Sequence, residues 1–193
     1  ITIDNQIVIF HDDDLNRLCN KKERIEEVTY DFLKDLKLYE SDEKIPLLKE
    51  LLVEISGKIP LVIEIKKHKN IGILENKLVD LLENYKGKYL ICSFEKDILF
   101  WFKKNKPNLK RGLIFESNPK KFEKYNKTLF LYKYYKSRAD FISLDYKLLD
   151  SSIYDFCVKN SLDLITWTIR NKENYEKVKE KVDAVIFESL FKL

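Results

Sequence analysis

Short apolar runs alternate with segments of helical periodicity along nearly the whole chain. Seven runs read as strands: residues 6–10, 61–65, 89–92, 112–115, 140–144, 162–169 and 184–187. Helical patterns fill the gaps at 47–55, 73–85, 95–104, 119–125 continuing after a break through 129–137, 148–159 and 172–181. Pro46 suits the first turn of the first of these, and Leu74, Leu78, Leu81 and Leu82 line one face of the second. Strand then helix, repeated, predicts a parallel sheet whose strands are apolar on both faces. The four glycines, 57, 72, 87 and 112, stand alone, so there is no glycine-rich phosphate loop.

Seven strands are one short of a closed (β/α)8 barrel. The fold expected is therefore an α/β barrel of TIM type lacking its first βα unit in these residues. The absent unit is placed before Ile1, because the sequence ends just after its last strand. On that reading the natural protein carries roughly 40 more residues, one βα unit. The 193-residue chain alone is then expected to be inactive. A seven-stranded open barrel would also leave two unpaired sheet edges. Residues 1–193 are read as a single domain. Residues 12–45, with one short helix around 29–37, form a long βα loop over the barrel mouth, where function usually sits.

Composition narrows this picture only slightly. Hydrophobic residues make up 45% and charged residues 35%, as in a globular chain, and no apolar run is long enough to span a membrane. The expected location is cytoplasmic. Cys19, Cys92 and Cys157 lack metal or redox spacing and read as incidental thiols in a reducing compartment. Net charge is +4, from 36 basic and 32 acidic residues spread along the chain. That mild excess suits an anionic substrate or weak association with an acidic membrane surface. The stretch Tyr132-Lys133-Tyr134-Tyr135-Lys136 mixes rings and lysines as single-strand nucleic-acid binders do. No recognition module accompanies it, so it reads as a helix that buries its tyrosines and exposes its lysines, and no nucleic-acid partner is expected.

The candidate chemistry sits at the C-terminal tips of the strands, where a barrel presents its catalytic groups. The first run ends in His11 followed by three aspartates. The second gives Glu64 and Lys66, the third Ser93 and Phe94, the fourth Glu116. The fifth gives Ser143 and Asp145, the sixth Trp167, the seventh Glu188. A carboxylate between Ile63 and Ile65 is costly unless paired or metal-bound. Glu64 can thus be a ligand to a hard cation, with Lys66 facing an anionic group; alternatively the two form a buried ion pair. Trp167 is either core or a flat apolar wall for a polyol. His68, in Lys-Lys-His-Lys-Asn, reads as a solvated loop residue.

Taken in order, these pieces resemble the glycerophosphodiester phosphodiesterase family over essentially the whole chain. His11-Asp12-Asp13 and Leu15-Asn16-Arg17 resemble its His-Asp-Asp and Leu-Asp-Arg elements. Ile45-Pro46-Leu47-Leu48-Lys49-Glu50 is similar to its Ile-Pro-Thr-Leu-Glu-Glu helix start, and Glu64-Ile65-Lys66 to its Glu-Ile-Lys strand. Ser93-Phe94, Ile142-Ser143-Leu144-Asp145-Tyr146 and Trp167-Thr168 follow in the family's order. The resemblance implies a TIM barrel that hydrolyses glycerophosphodiesters to glycerol 3-phosphate and an alcohol. It implies a divalent cation, Ca2+ or Mg2+, and two histidines as general acid and base, His11 being the second. Glu64 is then one of three metal carboxylates, Lys66 contacts the phosphate, and Trp167 lines the glycerol pocket. In related barrels a neighbouring glycerol hydroxyl attacks first, giving a cyclic phosphate.

The sequence departs from the family at both ends. The His-Arg-Gly with the first histidine and the Glu-x-Asp metal pair have no counterpart here. Residues 184–190 replace the usual Gly-Ile-Ile-Thr-Asp-x-Pro, which bears on the last substrate-side contacts. Rival expectations are a barrel lyase of the inositol phospholipase C or sphingomyelinase D kind, and a non-catalytic barrel that binds phosphodiester head groups. Head-group preference and oligomeric state are not legible.

Overall fold

The computed structural model describes residues 1–188. They divide into two compact units, one of residues 1–61 and 66–89, the other of residues 62–65 and 90 onward.

The first unit is built mostly from short elements. α1 (Asn16–Cys19), a 3-10 turn at Ile25–Glu27 and α2 (Tyr30–Leu33) pack Leu15, Ile25, Leu33 and Ile45 into a small core. Thr29 caps α2 by accepting from the Phe32 N–H. α3 (Leu48–Ile55) and α4 (Ile73–Glu83) follow. Each begins with a glutamate three residues in that reaches back to a free backbone donor: Glu50 to the Leu47 N–H at 3.0 Å, Glu75 to the Gly72 N–H. Residues 6–10 are not the expected strand. Val8 makes only an isolated antiparallel bridge with Leu47. The Ile7 carbonyl accepts from the Leu48 N–H at 2.8 Å, and the Ile9 N–H donates to the Pro46 carbonyl at 2.9 Å. The apolar run thus pairs with the short segment entering α3. Among the described residues there are six strands and not seven.

The six strands form one sheet in chain order: β1 (Leu61–Glu64), β2 (Tyr89–Ser93), β3 (Arg111–Phe115), β4 (Phe141–Asp145), β5 (Asp163–Ile169) and β6 (Ala184–Phe187). Neighbours from β2 to β6 are all parallel. In the second unit α5 (Lys96–Asn105), α6 (Asn126–Ser137), α7 (Ser152–Lys159) and α8 (Lys172–Val178) fall one between each pair of successive strands. α6 is preceded by a 3-10 helix at Lys120–Tyr125. Strictly sequential strand order is that of a TIM-type barrel; a doubly wound sheet reverses its order at a switch point.

β3 and β4 are buried along their whole length, as the apolar runs predict. One face of the sheet carries Leu113, Phe115, Ile142, Leu144 and Leu164 into a core shared with the helices, where Phe130, Ile153 and Cys157 meet them. The opposite face gathers Cys92, Ile114, Phe141 and Ile165, with Phe94 and Trp167 packed against them. Gly112 belongs to this second face: a methyl there would drive into the Phe141 ring. At the start of β3, Arg111 is fully buried and holds Asp140 at 3.0 Å while donating to the carbonyls of Leu109 and Arg138. That charge is tolerable because its donors are met.

Candidate active site

Of the four residues singled out by sequence, two fall in each compact unit. His11 and Lys66 belong to the first, Glu64 and Trp167 to the second.

His11 ends the 6–10 run with its side chain 74% exposed. Its Nδ1 lies 2.7 Å from Asp12 Oδ1, so Nδ1–H donates to the carboxylate and Nε2 takes no part in that bond. Asp12 is in turn gripped by Arg17 from α1. Arg17 Nε donates to Oδ2 at 2.6 Å, and another guanidinium nitrogen donates to Oδ1 at 2.7 Å. The third guanidinium nitrogen donates to the Tyr39 hydroxyl at 2.8 Å. Hydrogen bonding from Arg17 first, and from His11 next, holds the Asp12 carboxyl down to about 2. The carboxylate is therefore charged at any working pH and orients the imidazole. Sequence reasoning missed Arg17 and Tyr39 in this role. Arg17 lay in the Leu-Asn-Arg element, but nothing local pairs a residue with a tyrosine 22 positions on.

Lys66 is half-buried just beyond β1, and its carbonyl accepts from His68 Nδ1 at 3.0 Å. Here one expectation is corrected. His68 is not a solvated loop residue: its side chain is 5% exposed, and Nε2 lies 3.1 Å from a carboxylate oxygen of the fully buried Glu75 on α4. Both ring nitrogens face acceptors, so only the imidazolium satisfies the pair. Burial disfavours charge on both groups. It is the largest single influence on each, but the ion pair together with the Lys66 carbonyl at His68 and the Gly72 N–H at Glu75 outweighs it, so His68 sits above its ordinary range and Glu75 below its own.

Glu64 closes β1 and is half-buried. The Ile65 N–H donates to the Cys92 carbonyl at 2.8 Å, and Ser93 Oγ donates to the Ile65 carbonyl at 2.7 Å. This parallel register sets Glu64 beside Cys92, on the face of the sheet that holds Phe94 and Trp167. Trp167 lies half-buried near the end of β5. Its indole N–H donates to the Ser143 carbonyl at 3.1 Å, and its ring meets Phe94 edge to face at 5.8 Å. The indole is thus locked, with Phe94 as a second apolar wall. Asp145, at the tip of β4, is already committed: it accepts from Ser117 and from the Lys147 N–H. Glu188 pairs with Arg170, while Ser189 and Leu190 lie outside the described residues.

A hard cation needs several oxygen ligands. Among the described residues no group of three or more His, Cys, Asp or Glu side chains is placed to hold a metal. Glu64 alone does not make a Ca2+ or Mg2+ site. Separately, the first unit holds a cleft of about 190 Å³ lined by residues that include Gln6, Leu47, Lys49, Lys77 and Asp80, and by none of the four singled out above.

No helix among the described residues is long and apolar enough to cross a membrane. A curated glycerophosphodiester phosphodiesterase from Caldanaerobacter subterraneus subsp. tengcongensis is 30% identical over 203 residues, covering 96% of this chain and 78% of its own length. Among solved structures, an Oleispira antarctica phosphodiesterase in complex with the product sn-glycerol-3-phosphate superposes with a TM-score of 0.82 at 21% identity, covering 97% of this chain and 77% of that one. A Thermotoga maritima glycerophosphodiester phosphodiesterase gives 0.74 at 22% identity, with 97% and 77% covered. The sequential parallel sheet accords with these relatives. Residues 1–190 match the glycerophosphoryl diester phosphodiesterase family, and the chain, an enzyme of that class, belongs to it.

Proposed function

We propose that this chain hydrolyses glycerophosphodiesters to sn-glycerol 3-phosphate and an alcohol, with His11 moving the proton. The observation that carries this reading is the Tyr39–Arg17–Asp12–His11 relay of hydrogen bonds, which ends on an exposed imidazole. A structural histidine is normally buried against its partners; this one is turned outward and held only from behind.

A phosphodiester anion repels an incoming nucleophile, so attack requires that charge be offset as the new P–O bond forms. Lys66 is assigned to that task. The attacking oxygen, from water or from the neighbouring glycerol hydroxyl, must shed a proton, and the departing alcohol must take one. His11 Nε2 serves one of these two transfers. Asp12 stabilises the imidazolium that forms, and Arg17 keeps Asp12 in place. Attack by the glycerol hydroxyl would close a cyclic phosphate that water then opens to glycerol 3-phosphate; direct attack by water reaches the same product. Trp167 and Phe94 supply an apolar wall for the glycerol carbons. Glu64 is assigned as a carboxylate toward Ca2+ or Mg2+. With no three-ligand group among the described residues, no step above runs through a cation.

The test compares the protein with its His11→Ala variant, following glycerol 3-phosphate release from glycerophosphocholine. The variant should keep its melting temperature and lose about a thousandfold or more in rate. Undiminished turnover by the variant would remove His11 from the mechanism. Turnover that survives chelation, with no response to added Ca2+ or Mg2+, would remove the cation and with it the role of Glu64.

A further inference from the structure

Charge is less evenly distributed in this molecule than its net value suggests. Residues 96–137, from the start of α5 to the end of α6, carry twelve Lys and Arg against three Asp and Glu. That segment is +9 while the whole chain is +4, so everything else sums to −5. The same segment exposes large rings. Phe122 is 49%, Tyr125 52%, Tyr132 51% and Tyr135 56% exposed. The expected helix with buried tyrosines is therefore only partly found: on α6 the buried positions are Asn126, Phe130 and Ser137, and Tyr132 and Tyr135 face out. Single exposed apolar residues are ordinary, and others occur elsewhere on this molecule; four exposed rings within one lysine-rich stretch mark a candidate binding surface.

We propose that the face formed by the 3-10 helix Lys120–Tyr125 and the outer side of α6 docks onto an anionic lipid bilayer. Charge selects the partner first. A cluster of lysines is drawn to the negative surface of an acidic leaflet, each lysine adding to the attraction while salt screens it. The rings select between partners. Three of the four already hold an ammonium against them: Lys121 over Phe122 at 5.5 Å, Lys124 over Tyr125 at 5.0 Å and Lys96 over Tyr132 at 5.7 Å. A single-stranded nucleic acid needs open ring faces on which bases stack. Rings interleaved with their own lysines suit the head-group layer instead, where amphipathic aromatics lie among phosphates and the ammonium groups reach lipid oxygens. Docking there would hold the enzyme close to the membrane while its own chemistry acts on soluble diesters.

The experiment is vesicle sedimentation of the whole protein. Phosphatidylcholine vesicles with about 30% phosphatidylserine should pull it down at low salt, pure phosphatidylcholine vesicles should not, and about 0.5 M salt should release it. The quadruple variant Lys124→Glu, Tyr125→Ser, Tyr132→Ser, Lys136→Glu should partition at least tenfold less, with an unchanged circular dichroism melt. It should hydrolyse soluble glycerophosphocholine as before, so loss of docking and loss of the hydrolytic reading are separable. The control Lys159→Glu, Lys172→Glu on α7 and α8 should bind like the parent. Absence of sedimentation with the anionic vesicles overturns the proposal. So does an equal loss in the control. A single-stranded oligothymidine retained by the protein more tightly than the vesicles would give this face to nucleic acid instead.

Discussion

His11 is held from one side only, and that fixes what its neighbours should do. Arg17→Ala takes away the first cause of the low Asp12 value, so the Asp12 carboxyl should climb from about 2 toward the ordinary carboxylate range. A carboxylate that protonates at higher pH stops orienting the imidazole earlier. The acid limb of the pH–rate profile should therefore move upward in Arg17→Ala, with kcat at neutral pH falling by roughly tenfold to a hundredfold. An unmoved acid limb would mean that Asp12 does not act through His11. The His68–Glu75 pair makes a prediction about stability. His68 is raised when folded, so its contribution is complete below the free histidine range and is lost as pH rises through the folded value. Glu75 is lowered, so its contribution is present above the free carboxylate range and is lost as pH falls through its folded value. The pair should stabilise most between these limits. Glu75→Gln should cost about 3–5 kcal/mol in mildly acidic solution, and it should erase the parent's decline toward alkaline pH. Denaturant unfolding across pH measures both. The pair was invisible in sequence because Lys-Lys-His-Lys-Asn gives no sign of burial. Glu75, three residues after Gly72, also caps the start of α4.

Among elements, legibility followed how much of the pairing is local. β1 to β6 all stand within a residue or so of the apolar runs, the strands buried on both faces, β3 and β4, and the largely exposed β6 alike. α3, α4 and α5 were equally readable, α3 from Pro46 at its start, α4 from its apolar stripe and α5 from Ser93 ahead of it. Residues 6–10 failed because an apolar run states that it wants burial, not what it will pair with. Its partner was the two-rung segment before α3. Residues 148–159 divided into a 3-10 turn, Tyr146–Leu148, and α7, because the Asp145 and Ser151 side chains cap two separate starts. Packing of β3 on β4 can be tested directly. Gly112→Ala places a methyl against the Phe141 ring in a close-packed layer, and should destabilise the protein by about 1–3 kcal/mol, read as a lower urea midpoint. Stability equal to the parent's would show that the ring can move aside.

At the scale of the molecule, the sequence disclosed family and fold but not the distribution of charge. The family rests on ordered elements from His11 to Trp167, and the match over residues 1–190 agrees with them. The concentration of positive charge between α5 and α6 was concealed by a modest net value, because the remaining residues are acidic in sum. Which strand-tip side chains share a face was the least legible property. Glu64 and Trp167 share a face of the sheet because register carries them there, and register is set by pairings far apart in the chain. Whether the enzyme cuts a glycerophosphodiester on the side that yields glycerol 3-phosphate is best measured by phosphorus NMR of a reaction with glycerophosphocholine. The proposed chemistry requires the diester resonance to be replaced by that of sn-glycerol 3-phosphate, with choline released in equal amount. Phosphocholine and free glycerol as products, or a diester signal that never diminishes, would contradict it.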